Sequence, residues 1–246
     1  MSSSPYRRPP ITEAVLELRL ADQLEIDQVE KIRDRLVEEY PILPQMLQNI
    51  SVLAGPGDQH RSQIDFGGYR LLSADATDIV IVGRSNISTS RLAPYTDWER
   101  FTGGAKRNWA TWRKVAGWHE VSRVGVRYIN RIDVPNPEQR PVPIDDYLVF
   151  RPVFPVFEGW EGVDTFAING VAAIANTPFK VILNAGSTPS PMVRTTSFLL
   201  DIDISQEGNL PKNDDGLWTL IDQIRAHKNR IFEASVTDLS RKLFSS

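Results

Sequence analysis

The hydrophobic and polar positions of the chain alternate most regularly over residues 123–134. Every second residue from Val124 to Val134 is apolar except Asn130, and the positions between them are mostly charged. A period of two is typical of a β-strand with one buried side and one solvent-facing side. The segment is about twice the usual strand length, which predicts a strand in the interior of an antiparallel sheet.

The same alternation recurs in shorter segments before and after this strand. Residues 12–20 and 194–204 alternate, and five short β-like runs between residues 49 and 92 are separated by turn residues. Gly67-Gly68 has the composition of a two-residue hairpin turn. Connections this short predict antiparallel neighbours, because a parallel crossover needs about a dozen residues or more.

Apolar residues at helical spacing predict three longer helices. The first has a capping signal at Asp27. The second lies within residues 94–116, where tryptophans follow one stripe and Gly103-Gly104 predicts a kink or break. The third is capped by Asn213 or Asp214 and closes the chain.

These elements predict an α+β fold, in which helices pack on one face of an antiparallel sheet and a long helix ends the chain. Residues 1–10 are polar and proline-rich, which predicts a flexible arm, and residues 11–246 are predicted to form one domain. The order of elements repeats in outline, so residues 11–118 and 119–246 are candidate pseudo-halves. The expected layout is helix-grip or TATA-binding-protein-like, and a layout alone carries no information on activity.

Composition excludes several functional classes. The 246 residues include no cysteine, which excludes disulfides, thiolate catalysis and cysteine-ligated metal clusters. With 28 basic and 31 acidic residues the net charge is -3, which disfavours nucleic acid as a partner. The chain has no apolar segment long enough to span a membrane and no apolar signal-peptide core. A cytoplasmic protein without membrane contact is expected.

Five segments together resemble a known bacterial family. They are PPITEAVLELR (9–19), YTDWERF (95–101), RYINRI (127–132), IDDYL (144–148) and a C-terminal helix with His227, Phe232 and Thr237. The set is similar to a sporadically distributed bacterial family of about this length and of unknown function. The resemblance spans nearly the whole chain. It implies an accessory gene of the kind found in mobile and defence-linked loci, including phage defence, and it implies no catalytic residues.

Charged residues on the polar sides of the strands are the first candidates for a binding surface. Arg127 and Arg131 share one side of the long strand, Asp201 and Asp203 share one side of a second strand, and Glu13 lies on a third. On neighbouring strands these residues would form a cross-strand ladder. Such a ladder is either an ordinary set of surface ion pairs or a surface that binds a carboxylate, a phosphate or a partner chain.

Asn130 interrupts the apolar side of the same strand. Its amide either satisfies buried backbone groups or, if a bulge turns it outward, joins the two arginines in the binding surface. The three acidic residues would hold a divalent ion if they converged, as in two-metal nucleases.

The segment KRNWATWRK at residues 106–114 combines cations with aromatic rings, as single-strand nucleic-acid sites do. On a helix, however, Trp109 and Trp112 share the buried stripe and leave the cations as a solvated face. The three histidines lack metal-ligand spacing, and no phosphate loop or nucleophile elbow is present. No cofactor, metal or catalytic residue is therefore predicted.

The sequence thus predicts a binding or regulatory protein that acts through a protein partner. The partner is expected to be encoded nearby, in an accessory or defence-type locus. Self-association of the chain is compatible with this prediction. Two alternatives stay open. One is a metal-dependent hydrolase or nuclease whose acidic residues converge from several strands. The other is a small-molecule sensor with a pocket between sheet and helices.

Overall fold

The computed structural model describes residues 6–54, 60–150 and 165–245, except for the side chains of residues 51–54 and 60–63. Within these ranges a nine-stranded antiparallel sheet carries four α-helices on one face, which confirms the predicted α+β class. The strands are β1 (Ile11–Leu20), β2 (Ile42–Ala54), β3 (His60–Leu72), β4 (Asp78–Val82), β5 (Asn86–Leu92), β6 (Val121–Pro135), β7 (Ala167–Ala173), β8 (Lys180–Thr188) and β9 (Thr195–Glu207). The helices are α1 (Ile26–Leu36), α2 (Trp98–Ala116), α3 (Asp214–Ser235) and α4 (Asp238–Ser245), with a 3-10 turn at Ile144–Asp146.

Strand β6, the long alternating segment, lies inside the sheet. The strand order is β2-β3-β4-β5-β1-β6-β9-β8-β7, so β6 pairs with β1 along one edge and with β9 along the other. Its apolar side faces the helices, where Val124, Val126 and Ile132 are fully buried. The alternation in the sequence therefore separates the helix-covered face of the sheet from the helix-free face.

The strand order is nearly symmetric about the β1–β6 pair, with four strands on one side and three on the other. After β1 the chain forms α1 and strands β2 to β5, and β5 returns to pair with β1. After β6 it forms β7 to β9, and β9 returns to pair with β6. Helices α2 and α3 follow the two returning strands and so occupy equivalent places. The predicted boundary between two halves at residue 118 stays a prediction.

Helix α2 is continuous through Gly103-Gly104, so the predicted break is wrong. The side chain of Asp97 caps the helix by accepting a hydrogen bond from the backbone N–H of Arg100 at 2.7 Å. Trp109 and Trp112 are buried and stacked, with ring centroids 4.8 Å apart. Burial of such large rings outweighs the roughly 2 kcal/mol of helix propensity that two glycines lose.

The cap of α1 differs from the predicted one. The backbone N–H of Glu25 donates to the side chain of Gln28 at 3.1 Å, so the capping pair lies two residues before the expected position. Asp27 lies in the first turn instead and accepts a hydrogen bond from Lys31 at 2.9 Å. Acidic residues suit both positions, because each is close to the positive end of the helix dipole.

The predicted hairpin turn at Gly67-Gly68 is also wrong. Strand β3 runs through both glycines, and its register with β2 shifts between Leu47 and Gln48, as in a β-bulge. Gly68 has a φ of +126°, and a Cβ atom at this position would collide with the carbonyl oxygen of Val82. Positive φ and close approach of a neighbouring strand both favour glycine, and composition alone does not distinguish a bulge from a turn.

The C-terminal segment forms two helices instead of one. Asn213 caps α3 as predicted, and its Oδ1 accepts a hydrogen bond from the backbone N–H of Gly216 at 2.8 Å. Val236 is extended, with φ -109° and ψ 147°, and separates α3 from α4. None of the helices in the described ranges is long and apolar enough to span a membrane.

Part of the predicted N-terminal arm packs against these two helices. The ring of Tyr6 meets the rings of Phe232 and Phe244 edge-on, with centroids 6.3 and 5.3 Å away. Residues 6–10 therefore contribute to the packed structure, whereas residues 1–5 of the predicted arm lie outside the described residues.

We expect Gly68→Ala to destabilise the protein by about 2 kcal/mol or more, because the substitution adds both strain at positive φ and a backbone collision. The matched control is Gly103→Ala in α2, where the nearest atom to an added Cβ is Nη1 of Arg107 at 3.7 Å. This control should be neutral or up to about 1 kcal/mol more stable. Urea unfolding measures both, and equal stabilities of the two variants would contradict the bulge.

Candidate functional site

The charged residues of the helix-free face form a ladder across β1, β6 and β9. The register places Arg127 opposite Asp203, and Asp201 lies two residues further along β9 on the same side. Through Nε and Nη2, Arg127 donates to both carboxylate oxygens of Asp201, each at 2.8 Å. Asn184 on β8 donates to the same carboxylate at 2.9 Å. The arginine and aspartate candidates are thus neighbours, as the ladder hypothesis requires.

The centre of this ladder is Arg123, which the sequence candidates omit. Its side chain is only 11% exposed, and it donates to Glu17 through Nη1 at 2.6 Å and to Asp203 through Nη2 at 3.0 Å. Burial raises the pKa of Asp203, and the charge of Arg123 opposes that shift. The sequence contained a signal for Arg123, because it belongs to the same polar series as Arg127 and Arg131.

The remaining ladder candidates contribute smaller interactions. Arg131 donates to Asp133 on its own strand at 2.9 Å. Hydrogen bonds to Asp201 raise the pKa of Arg127, and the charge of Glu13 adds to this shift. Each arginine therefore has a carboxylate partner within the protein, which is typical of a structural network of ion pairs.

Asn130 does not join the arginines. It lies on the helix-covered side of β6, where it is buried, and its Nδ2 donates to the backbone oxygen of Leu200 at 2.9 Å. The β1–β6 register shifts between Ile11 and Glu13, next to Asn130, but the β6–β9 register is regular there and Asn130 is not turned outward. Of the two roles considered for Asn130, the structure supports hydrogen bonding to buried backbone.

The acidic candidates do not converge on a metal site. Among the described residues, no group of three or more histidine, aspartate or glutamate side chains could hold an ion. Asp201 and Asp203 are each bound to an arginine guanidinium. Glu13, the third acidic candidate, lies on β1 and has no bond to an arginine within the described ranges.

The tryptophans of the basic segment are not placed for stacking on bases. Trp109 and Trp112 are buried beneath α2. Among the cations, Arg107 pairs with Glu39 at 3.0 Å and Arg113 lies over the ring of Trp118. The geometry therefore favours the structural interpretation of this segment.

A pocket of about 360 Å³ opens on the helix-covered side, between β6, α3, the start of α2 and the N-terminal segment. Its walls are mainly aromatic and apolar: Tyr6, Pro9, Pro10, Ile11, Tyr95, Trp98, Tyr128 and Phe232. Its polar lining consists of Asp97, Asn130, Arg225, Lys228, Asn229 and Glu233. Apolar walls with a few polar groups are the usual character of a small-molecule site.

Lys228 has an unusual environment in this pocket. The residue is only 7% exposed, and its Nζ lies 3.8 Å from the ring centroid of Tyr128. Within the described ranges Nζ has no hydrogen-bond or ion-pair partner. The pKa of Lys228 is lowered to about 7, first by burial and then by the charge of Arg225, while the charge of Glu233 opposes both effects.

The phenols and the carboxylate beside Lys228 are hydrogen-bonded within the protein. The hydroxyl oxygens of Tyr95 and Tyr128 are 2.9 Å apart. Glu233 accepts hydrogen bonds from the hydroxyl of Tyr6 at 2.9 Å and from Nε of Arg241 at 3.1 Å. Burial raises the pKa of Tyr95 to about 12 and that of Tyr128 well above its usual value. Both phenols are therefore neutral donors at physiological pH.

Sequence reasoning missed Lys228 although a signal was present. Lys228 lies four residues after Ile224 and four before Phe232, so it interrupts the apolar stripe of α3. Asn130 interrupts the apolar side of β6 in the same manner. The pattern along a single strand or helix shows only that a polar residue interrupts an apolar series, whereas the fold brings Asn130 and Lys228 to the same pocket.

Comparison of the chain with protein-family models and with curated proteins finds no match. The resemblance to a sporadically distributed bacterial family therefore stays a prediction.

We expect Arg123→Ala to destabilise the protein by about 3 kcal/mol at pH 7, because it leaves Glu17 and Asp203 close together without their cation. The loss should shrink toward pH 5, since burial raises the pKa of Asp203 and its protonation removes the repulsion. Arg131→Ala, which removes a more exposed pair, should change stability by less than about 1 kcal/mol. Denaturant unfolding at both pH values distinguishes these outcomes. Equal small losses would show that the ladder adds no stability.

Proposed function

We propose that the protein is a small-molecule sensor that binds a compact organic ligand in the pocket beside Lys228. The observation that carries this proposal is the largely buried Lys228. Its Nζ lies over the ring of Tyr128, beside a pocket with aromatic walls, and has no hydrogen-bond or ion-pair partner among the described residues. Such a lysine destabilises the folded state. Strongly perturbed ionisable groups in pockets are typical of functional sites.

The lining specifies the chemistry of the ligand. Tyr95, Trp98 and Phe232 offer ring faces and edges to an apolar or aromatic body. Lys228 offers a donor to an acceptor oxygen, either a carboxylate or a carbonyl. A pocket of about 360 Å³ suits a ligand of roughly one ring with a polar substituent.

The N-terminal segment is the part of the fold whose packing would respond to a ligand in the pocket. One wall of the pocket is formed by Tyr6, Pro9, Pro10 and Ile11. The backbone oxygen of Pro10 accepts a hydrogen bond from the N–H of Arg131 at 2.8 Å. Tyr6 links the same wall to Glu233 on α3. A ligand that fills the pocket would therefore change how this segment packs, and a partner protein would read that change.

We expect benzoate, used as a probe, to raise the melting temperature of the wild-type protein more at pH 6 than at pH 8.5. Protonated Lys228 is the form that pairs with a carboxylate, and its pKa is about 7. The other charged groups at the pocket are Asp97, Arg225 and Glu233. Thermal denaturation at both pH values measures the effect. No response to benzoate or to other small aromatic acids would contradict the proposal.

The matched variant Lys228→Met should lose the response to benzoate and gain stability. The pKa of Lys228 is about 10.5 in the unfolded chain and about 7 in the folded protein. Below pH 7 the buried charge therefore lowers the free energy of unfolding, and this loss of stability disappears as the pH rises from 7 to 10.5. At pH 6 the gain should be a few kcal/mol, since one pKa unit corresponds to about 1.4 kcal/mol. Lys242→Met, at an exposed site on α4, should show neither effect.

A second function, docking of a protein partner, is favoured by the apolar surface of β2 and β3. Met46, Ile50 and Ile64 are 57%, 66% and 60% exposed, and Ile50 pairs directly with Ile64. Exposed apolar patches of this kind are typical of protein–protein contacts. Strand β2 is also at the edge of the sheet, where further strands can pair. The partner would be a protein from the same accessory or defence-type locus, or a second copy of the chain.

The hydrolase alternative gains no comparable support from the geometry. Its acidic candidates Asp201 and Asp203 are bound to arginines, and the described residues contain no cluster of potential metal ligands.

We expect the double variant Ile50→Lys/Ile64→Glu to lose association with itself or with its partner. The opposite charges preserve the cross-strand pair, so stability should change by less than about 0.5 kcal/mol. Sedimentation measures self-association, and co-purification from the native host measures the partner. Val171→Lys, on the opposite edge strand β7, is the control and should associate normally. Unchanged association of the double variant would exclude this surface.

A further inference from the structure

The environment of Lys228 differs from that of a lysine that only holds an anion. Its Nζ is over the ring of Tyr128 at 3.8 Å, lines the pocket and has no polar partner among the described residues. A site that only needed a permanent positive charge would be better served by arginine, which stays protonated when buried. A buried lysine instead supplies an amine that can lose its proton.

The charges around the amine support this reading. Burial is the main cause of its lowered pKa of about 7, and Arg225, one turn earlier on α3, is the second. Near neutral pH the Lys228 side chain therefore loses its proton far more readily than an ordinary lysine, which stays almost fully protonated there. Burial and a neighbouring cation are the two features that activate lysine nucleophiles. The titratable groups that face it are Tyr6, Tyr95, Asp97, Tyr128, Arg225 and Glu233.

We propose that Lys228 is a nucleophile that forms a reversible imine with an aldehyde or ketone bound in the pocket. This inference rests on the proposed binding function, and it adds the chemical class of the ligand and a covalent step.

The step is balanced without any further reagent. The lone pair of the neutral amine attacks the carbonyl carbon and forms a C–N bond as the C=O π bond breaks, and one of the two amine protons moves to the carbonyl oxygen. The resulting carbinolamine loses its hydroxyl group and the second amine proton as water, and a C=N bond forms. One amine and one carbonyl give one imine and one water, and nothing is oxidised or reduced.

The tyrosine pair is placed to assist as a hydrogen-bond donor. The hydroxyl groups of Tyr95 and Tyr128 share one hydrogen bond of 2.9 Å, which uses one of their two hydrogens. The second hydrogen can point to an oxygen in the pocket, because burial raises the pKa of both phenols and keeps them protonated. A donor to the carbonyl oxygen would polarise the C=O bond and favour attack by Lys228.

Reductive trapping tests the imine. The protein is incubated with benzaldehyde and cyanoborohydride, and the benzylated lysines are located by peptide mass spectrometry. At pH 7 we expect labelling of Lys228 to be at least about tenfold faster than labelling of the exposed Lys114 and Lys242. Relative to these lysines, the rate at Lys228 should follow a titration with a midpoint near 7. Labelling no faster than at the exposed lysines, or without that midpoint, would overturn the proposal.

Two controls separate the imine from binding alone. Lys228→Arg keeps a cation but cannot form an imine, so it should respond to benzoate while the label at residue 228 is lost. In the wild type, excess benzyl alcohol should protect Lys228 and leave Lys242 unprotected; failure to protect would mean that labelling does not require the pocket. If benzoate binds but Lys228 is not trapped, the sensor proposal stands and the imine is excluded. If neither occurs, both proposals fail.

Discussion

The strict separation of the two sides of β6 is the constraint on which the rest of the structure depends. The strand is hydrogen-bonded along both edges, so its register sets the register of β1 and β9. A slip of one residue would exchange the two faces, moving Val124 and Val126 into the ladder and Arg123 into the core. Register is therefore specified twice, by apolar packing under the helices and by the ion pairs of Arg123 and Arg127 on the helix-free face.

Polar residues in this frame differ in whether the protein itself satisfies them. Arg123 and Arg127 have carboxylate partners, and Asn130 donates to the backbone of a neighbouring strand. Lys228 has no such partner among the described residues. Polar groups with partners are accounted for by the fold. The proposed ligand site rests instead on a largely buried lysine without such a partner, in a pocket with aromatic walls. For this reason the candidate site is the pocket on the helix-covered face of the sheet and not the charged ladder on the helix-free face.

The same pocket connects the two ends of the described chain. Tyr6 packs against Phe232 and Phe244 and donates to Glu233, and Glu233 also binds Arg241. The N-terminal segment, α3 and α4 therefore share one set of contacts, and the pocket lies beside it. A ligand at this place would act on the packing of both termini, which gives a sensor a direct route from binding to a change in shape.

The sequence by itself determined the α+β class, the interior place of β6, a helix cap at Asn213 or Asp214, and the polarity of each sheet face. These features depend on local periodicity or on residue types next to one another in the chain. Only the tertiary structure decided that Gly68 lies in a bulge, that α2 passes through its glycines, and that Asn130 and Lys228 line the same pocket. The reason is physical: a collision with a neighbouring strand, the burial of aromatic rings and the desolvation of an amine are all set by residues distant in sequence.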